Sequence, residues 1–127
     1  MSSHIHMIIG RHGEQKLEHI IRDIKKYTST RIIEAIKNNP HESRRELFHW
    51  LFERAGKRNP NNTHYQFWQQ NNQPIELITN NFIDQKLDYI HNNPVEAGIV
   101  LSPEHYFYSS AVNYAGLPEK LIEVVLI

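Results

Sequence analysis

The sequence of 127 residues predicts an α+β fold, for three reasons. A β-branched, apolar run at 4–9 ends at Gly10 and is typical of a strand. A short aromatic run at 65–68, between loops rich in asparagine, indicates a second strand. Apolar residues recur every three or four positions in three segments that we expect to be helices: 14–37, 42–56 and 80–93.

The ends of these elements follow from local chemistry. The Asn-Asn-Pro run at 38–40 stops the first helix. The third helix begins near Thr79 or Asn80, either of which can cap it. It stops at Pro94, because the residue before a proline avoids helical backbone angles. The C-terminal run 121–127 fits either a strand or a final helical turn.

Composition excludes several classes of protein. The chain is 39% hydrophobic and 22% charged, which is typical of a soluble globular domain, and we expect residues 1–127 to form one domain. The absence of cysteine excludes disulfides and thiolate metal sites and fits a reducing compartment. No apolar run approaches the roughly 20 residues of a membrane span, and no signal peptide is recognisable. We therefore expect a cytoplasmic protein without a membrane partner.

The zero net charge hides an asymmetry between the two halves. Residues 11–58 hold 12 of the 14 Lys and Arg residues and 7 of the 14 acidic ones, while residues 59–127 hold the other 2 bases and 7 acids. A basic half can face a polyanionic partner, or it can be a solvated helix surface. Charge alone leaves both interpretations open.

His4 and His6 form a pair near the N-terminus. On a strand, they would share one face, about 6.5–7 Å apart along the backbone. Two imidazoles in that arrangement can bind Mg²⁺, Mn²⁺ or Zn²⁺, provided that a third ligand comes from elsewhere in the chain. The alternative is that both are ordinary surface histidines.

Tyr89 lies at the edge of the apolar stripe of the predicted helix 80–93. Ile83, Leu87 and Ile90 form its buried stripe at 100° per residue. Three polar side chains lie together at the edge of this stripe: Lys86, Tyr89 and Asn93. A tyrosine hydroxyl is a weak nucleophile, and a cation beside the target phosphate would make attack easier. The alternative is a tyrosine at the edge of the core.

Two segments, "SSHIHMIIG" and "DYIHNNPVEAGIVLSPEHYFYSS", resemble the single-tyrosine HUH transposases, in the branch of REP-associated, IS200-like enzymes. The resemblance implies a ferredoxin-like fold with a small antiparallel sheet. It also implies that His4, His6 and Asn93 bind Mg²⁺ or Mn²⁺ and that Tyr89 is the catalytic nucleophile. Such enzymes cleave and rejoin single-stranded or hairpin DNA through a 5′-phosphotyrosine link.

The resemblance implies DNA-binding residues in both halves of the chain. In the half 59–127, Lys86 would contact a phosphate, and Tyr65 and Trp68 would stack on unpaired bases, whereas Phe67 is more typical of core packing. His91 is expected at the surface. The residues expected to neutralise phosphates are Arg22, Lys25, Lys26, Arg44, Arg45, Arg54, Lys57 and Arg58.

The chain departs from this family in two ways. Ser3 stands where members usually carry asparagine. Members also have a strand and a helix ahead of the histidine strand, so we expect an N-terminally truncated fold and pairing with a second copy that covers the open sheet edge. Two other functions stay open: a non-catalytic DNA-binding remnant, and a metal-dependent phosphodiesterase that uses water.

Overall fold

The computed structural model describes residues 4–62, 64–70 and 72–127, so Ser3 lies outside the described residues. The three expected helices are confirmed, with ends within about one turn of those predicted. Of the helices described, none is both long and apolar enough to cross a membrane. The regular elements within these ranges are α1 (Leu17–Asn38), α2 (Arg45–Lys57), α3 (Asn80–Glu96), a 3-10 turn (Pro103–His105) and α4 (Ala111–Tyr114).

The predicted α+β, ferredoxin-like fold is wrong, because no strand or sheet occurs among the described residues. Segments 4–9 and 65–68 have strand-forming side chains on an irregular backbone. A strand exists only where a second strand pairs with its backbone, so residue type alone does not specify one. In the aromatic segment, the Gln66 amide donates instead to the Phe52 carbonyl of helix α2 (2.9 Å).

The described chain divides into two compact units. The N/C unit combines the described part of Met1–Ile9 with Ile75–Ile127, and the central unit spans Gly10–Pro74. Helices α1 and α2 belong to the central unit, and α3 and α4 to the N/C unit. The candidate metal and catalytic residues therefore lie in one unit, and all the candidate DNA-binding residues except Lys86 lie in the other.

Aromatic rings hold the central unit together. The Phe52 ring lies 5.2 Å from the Phe67 ring and 6.2 Å from the Phe48 ring, as centroid distances. The Trp68 indole N–H donates to the Thr28 hydroxyl of α1 (2.9 Å). The aromatic segment thus fastens onto α1 and α2, and Phe67 packs as the sequence predicts.

Gly56 near the end of α2 is required by a close backbone approach. A Cβ at this position would lie 2.6 Å from the carbonyl oxygen of His64, which is shorter than side-chain carbons tolerate. The chain can therefore turn back beside α2 only because residue 56 has no side chain.

Helix α3 begins as predicted but ends later. Its N-cap is Thr79, whose hydroxyl accepts from the Phe82 amide (3.3 Å). The predicted stop at Pro94 is wrong, because a proline in the last turn removes only one hydrogen-bond donor. The helix ends in a Schellman motif instead: Gly98 has φ 68°, and the Ile99 amide donates to the Pro94 carbonyl (2.9 Å).

The core of the N/C unit lies where α3 meets α4. Ala111 and Val112 are buried with 5% and 3% of their surface exposed, and His91 and Pro94 are buried on α3. The C-terminal run is neither strand nor helix. It is held to α4 by side-chain bonds, since the Asn113 amide donates to the carbonyl of residue 122 (2.8 Å).

Candidate metal and tyrosine site

Three of the four side chains predicted to carry the chemistry form one cluster in the N/C unit, here called the His–Tyr cluster: His4, His6 and Tyr89. The His4 and His6 rings are 4.9 Å apart and the His6 and Tyr89 rings 5.5 Å apart, measured between centroids. Both pairs meet edge to face, with an interplanar angle of 83°. Segment 4–9 therefore contacts helix α3 through His6.

The cluster forms without the strand from which it was predicted. A strand would hold the two histidines on one face, and the irregular backbone of 4–9 still brings their rings into contact. Tyr89 remains 50% exposed on α3. It is thus half open to solvent while its ring contacts that of His6.

Helix α3 adds a cation and an amide to the same face. The Lys86 ammonium lies 6.0 Å from the centre of the Tyr89 ring and 5.2 Å from that of Phe82. Asn93 follows Tyr89 by four residues, so the helix places both on one face. The sequence prediction that Lys86, Tyr89 and Asn93 share an edge of the helix therefore agrees with the helix observed.

The surroundings of His6 favour its neutral form. Partial burial lowers the pKa of His6, and repulsion by a protonated His4 lowers it further. A neutral imidazole has a free lone pair and is the form that binds metals. His6 is thus kept in its ligand form toward lower pH than an isolated histidine.

Two of the three metal ligands that the resemblance implies, His4 and His6, have their rings in contact. Two neighbouring imidazoles supply nitrogen ligands, and the Asn93 side chain supplies an amide oxygen, a ligand type that Mg²⁺ and Mn²⁺ accept. Among residues 4–62, 64–70 and 72–127, no three His, Asp or Glu side chains converge on one point. The resemblance implies Asn93 as the third ligand, and Asn93 lies one turn after Tyr89 on α3.

His91, two residues after Tyr89, is not at the surface, so that prediction is wrong. Only 9% of the residue is exposed. Its Nε2 shares a hydrogen bond with the Ser110 hydroxyl (2.9 Å), and its ring meets the Tyr114 ring edge to face at 5.2 Å. Burial lowers the pKa of His91, although the charge of Asp88 opposes the shift. His91 thus anchors α3 to the start of α4.

The sequence did contain a signal for this role. At 100° per residue, His91 lies about 40° from Leu87, beside the apolar stripe and on the far side of α3 from Tyr89. A histidine at that angle packs in the core when a hydroxyl is within reach, and Ser110 supplies that hydroxyl.

Several of the predicted DNA-binding residues in the central unit are engaged in local contacts. The Lys25 ammonium donates to the Gln69 carbonyl (2.9 Å) and to the Asn72 side-chain oxygen (2.7 Å). The Trp68 indole is part-buried against α1. Tyr65 shares a hydrogen bond with His49 (3.1 Å) and is 37% exposed. Of the two predicted stacking residues, Tyr65 is thus the more accessible one.

The other predicted phosphate ligands are exposed arginines and lysines. Arg22 pairs with Asp23 at 2.9 Å and Arg44 with Glu42 at 3.5 Å, and both arginine side chains are exposed. Such exposed pairs are weak and leave the cations available to a polyanion. Lys26, Arg45, Lys57 and Arg58 are exposed as well.

One aromatic residue of the central unit was missed by sequence reasoning. Trp50 on α2 is 50% exposed, and the Arg54 guanidinium lies 4.9 Å from the centre of its ring. The i, i+4 spacing of an aromatic residue and an arginine on a helix was the available signal.

In comparisons with protein families, curated proteins and solved structures, none matched this chain.

Proposed function

We propose that this chain cleaves and rejoins single-stranded or hairpin DNA through a covalent link to Tyr89, as a transposase that uses Mg²⁺ or Mn²⁺. The observation that carries the proposal is the His–Tyr cluster, in which the His6 and Tyr89 rings are 5.5 Å apart. The resemblance of the two sequence segments to HUH transposases supports it independently. The ring contacts join three of the four residues that the resemblance implies.

In the proposed cleavage, the Tyr89 oxygen attacks the phosphorus of a phosphodiester. A phosphorus–tyrosine bond forms, and the bond from phosphorus to the 3′ oxygen breaks. The tyrosine proton passes to solvent and the departing 3′ oxygen takes up a proton, which leaves a free 3′-hydroxyl and a 5′-phosphotyrosine. Joining reverses these steps with a new 3′-hydroxyl, so the reaction requires no nucleotide cofactor.

His4, His6 and Asn93 would hold the metal ion. When bound there, a divalent cation would withdraw charge from the phosphate and stabilise negative charge on the departing oxygen. The chain's own contribution is to keep His6 neutral by partial burial and to hold Tyr89 against it. The neutral imidazole is the form that binds a metal, and the ring contact holds Tyr89 beside His6.

Lys86 supplies a fixed positive charge on the same face. Its ammonium lies 6.0 Å from the centre of the Tyr89 ring. A phosphate that approaches the Tyr89 hydroxyl would therefore be attracted by Lys86 before and during attack. Lys86→Met should lower the rate of adduct formation and leave the site of attack unchanged.

A specific observation also favours a second candidate, a DNA-binding remnant without turnover. The described residues lack the sheet that the resemblance implies, so segment 4–9 is held by side-chain contacts such as that between His6 and Tyr89. Loosely held ligands would bind metal poorly. This candidate predicts DNA binding without any covalent product.

The decisive experiment is a denaturing gel of protein incubated with a labelled hairpin DNA and Mn²⁺. We expect a covalent protein–DNA band that disappears in Tyr89→Phe and in His6→Ala. Tyr108→Phe is the matched control, because Tyr108 is 72% exposed in the same unit. Binding without a band in metal-loaded protein supports the remnant. Cleavage that survives Tyr89→Phe supports the phosphodiesterase that uses water.

The predicted homodimer and cytoplasmic location belong to the same proposal. The N/C unit exposes large apolar side chains, among them Ile78 (80%), Leu101 (92%) and Val125 (84%). Burying such side chains against a second copy would be favourable. Sedimentation equilibrium tests this directly, and a monomer at all protein concentrations contradicts the dimer.

A further inference from the structure

The outward face of helix α2 forms a shallow groove, here called the Trp50 groove. Its volume is about 250 Å³. The groove lies wholly within the central unit. Its lining residues are Trp50, Glu53, Arg54, Lys57 and Arg58.

Helix geometry explains why this face is free. Phe48 and Phe52 occupy the side of α2 that packs within the central unit. At 100° per residue, Trp50 and Lys57 lie on the opposite side. Trp50 is accordingly 50% exposed, even though Arg54 stacks over its ring.

The groove carries positive charge that is only partly neutralised. Lys57 pairs with Glu53 at 3.2 Å. Within the part of the chain that the structure describes, no carboxylate lies within 4.0 Å of the Arg54 or Arg58 guanidinium nitrogens. The Arg54 guanidinium lies 4.9 Å from the centre of the exposed indole, and Arg58, one turn further along the chain, lines the same groove.

We propose that the Trp50 groove binds single-stranded nucleic acid, with a base stacked on the Trp50 indole and adjacent phosphates held by Arg54 and Arg58. An exposed indole attracts any flat π-system, and an unpaired base supplies one together with a phosphate. Arginine can stack on an aromatic face and still donate from its edge to phosphate. The small volume suits one base with its phosphate.

The charge of the central unit favours the same ligand. Residues 11–58 hold 12 of the chain's 14 Lys and Arg residues against 7 acids. A duplex would meet the same charges but would offer no open base face to Trp50. The choice of DNA rests on the proposed function, whereas the groove itself requires no metal and no reaction at Tyr89.

The test is equilibrium binding of an oligothymidylate in EDTA, so that no cleavage takes part. Base stacking contributes about 1–3 kcal/mol, and Trp50→Leu should therefore weaken binding about 5- to 150-fold. Binding of an abasic oligonucleotide of the same length should not change. Tyr27→Leu is the matched control, since Tyr27 is 64% exposed under Arg31 in the same unit.

Salt dependence tests the arginines. Each phosphate contact on a single strand contributes about 0.7 to the slope of log K against log salt. The double variant Arg54→Gln/Arg58→Gln should lower the magnitude of this slope by about 1.4. The control Arg11→Gln/Arg31→Gln removes the same charge elsewhere in the central unit and should change the slope much less.

Tryptophan fluorescence supplies a second readout. The chain has two tryptophans, so the part of the emission that Trp50→Leu removes reports on Trp50. Oligothymidylate should quench that part, and the abasic strand should not. The proposal is overturned by unchanged affinity in Trp50→Leu, by equal salt slopes in the two arginine variants, or by absence of quenching. A missing Tyr89 adduct would leave it intact.

Discussion

Replacing His91 by alanine tests the anchor that holds the tyrosine helix. His91 is 9% exposed, shares a 2.9 Å hydrogen bond with Ser110 and contacts the Tyr114 ring at 5.2 Å. A hydrogen bond of this kind contributes about 0.5–1.5 kcal/mol and an aromatic edge contact a similar amount. Because removal of the ring also leaves a cavity, we expect the free energy of unfolding of the N/C unit to fall by about 2–4 kcal/mol.

Hydrogen exchange measured by mass spectrometry reports this loss on α3 itself. At 1.36 kcal/mol per tenfold change, the α3 amides should exchange about 30- to 900-fold faster in His91→Ala. His105→Ala is the control, because His105 is an exposed histidine of the same unit. Ser110→Ala should show part of the same effect. Equal α3 exchange in His91→Ala and in the control would refute the anchor.

Single contacts at His91, Gly56 and Thr79 each stabilise the unit that contains them. The N/C unit should keep its stability above about pH 6.5 and lose it as the pH falls, because burial lowers the pKa of His91 below the unfolded value and the unfolded chain takes up the proton first. Urea unfolding at several pH values checks this. Gly56→Ala should lower the free energy of unfolding by about 1–3 kcal/mol, because its Cβ would lie 2.6 Å from the His64 carbonyl oxygen. Gly10→Ala should leave that free energy nearly unchanged. Unfolding of the central unit followed by tryptophan fluorescence measures both variants. Thr79→Ala should lower the free energy of unfolding by about 1 kcal/mol and speed amide hydrogen exchange in the first turn of α3.

Each of these predictions has a clear contrary result. A pH slope that persists unchanged in His91→Ala would assign it to other groups. Equal unfolding midpoints for Gly56→Ala and Gly10→Ala would remove the close approach as the reason for glycine. Unchanged exchange at the start of α3 in Thr79→Ala would show that the cap hydrogen bond does not matter.

Helices were predictable from the sequence because their signals are local. Apolar spacing located α1, α2 and α3, and the hydroxyl of Thr79 marked the start of α3. Strands depend on partners distant in sequence, so the β-branched residues of 4–9 gave a wrong prediction. The end of α3 was misjudged at Pro94 because the Schellman motif beyond it outweighs one lost donor.

Candidate site residues were predictable where helix geometry alone places them. Lys86 lies near the Tyr89 ring as the helical angles predict. The approach of His6 to Tyr89 joins distant parts of the chain, and only the resemblance pointed to it. The burial of His91 and the hydrogen bond from Lys25 to Asn72 depend on tertiary packing, which residue spacing does not encode.

The most direct test of the proposed chemistry is to locate the covalent bond. Protein incubated with hairpin DNA and Mn²⁺ is digested with nuclease and trypsin, and tandem mass spectrometry locates any phosphotyrosyl nucleotide. We expect a 5′-phosphonucleotide on Tyr89, and none in His6→Ala protein. A nucleotide on another tyrosine, or cleaved DNA with unmodified Tyr89 throughout, would contradict it.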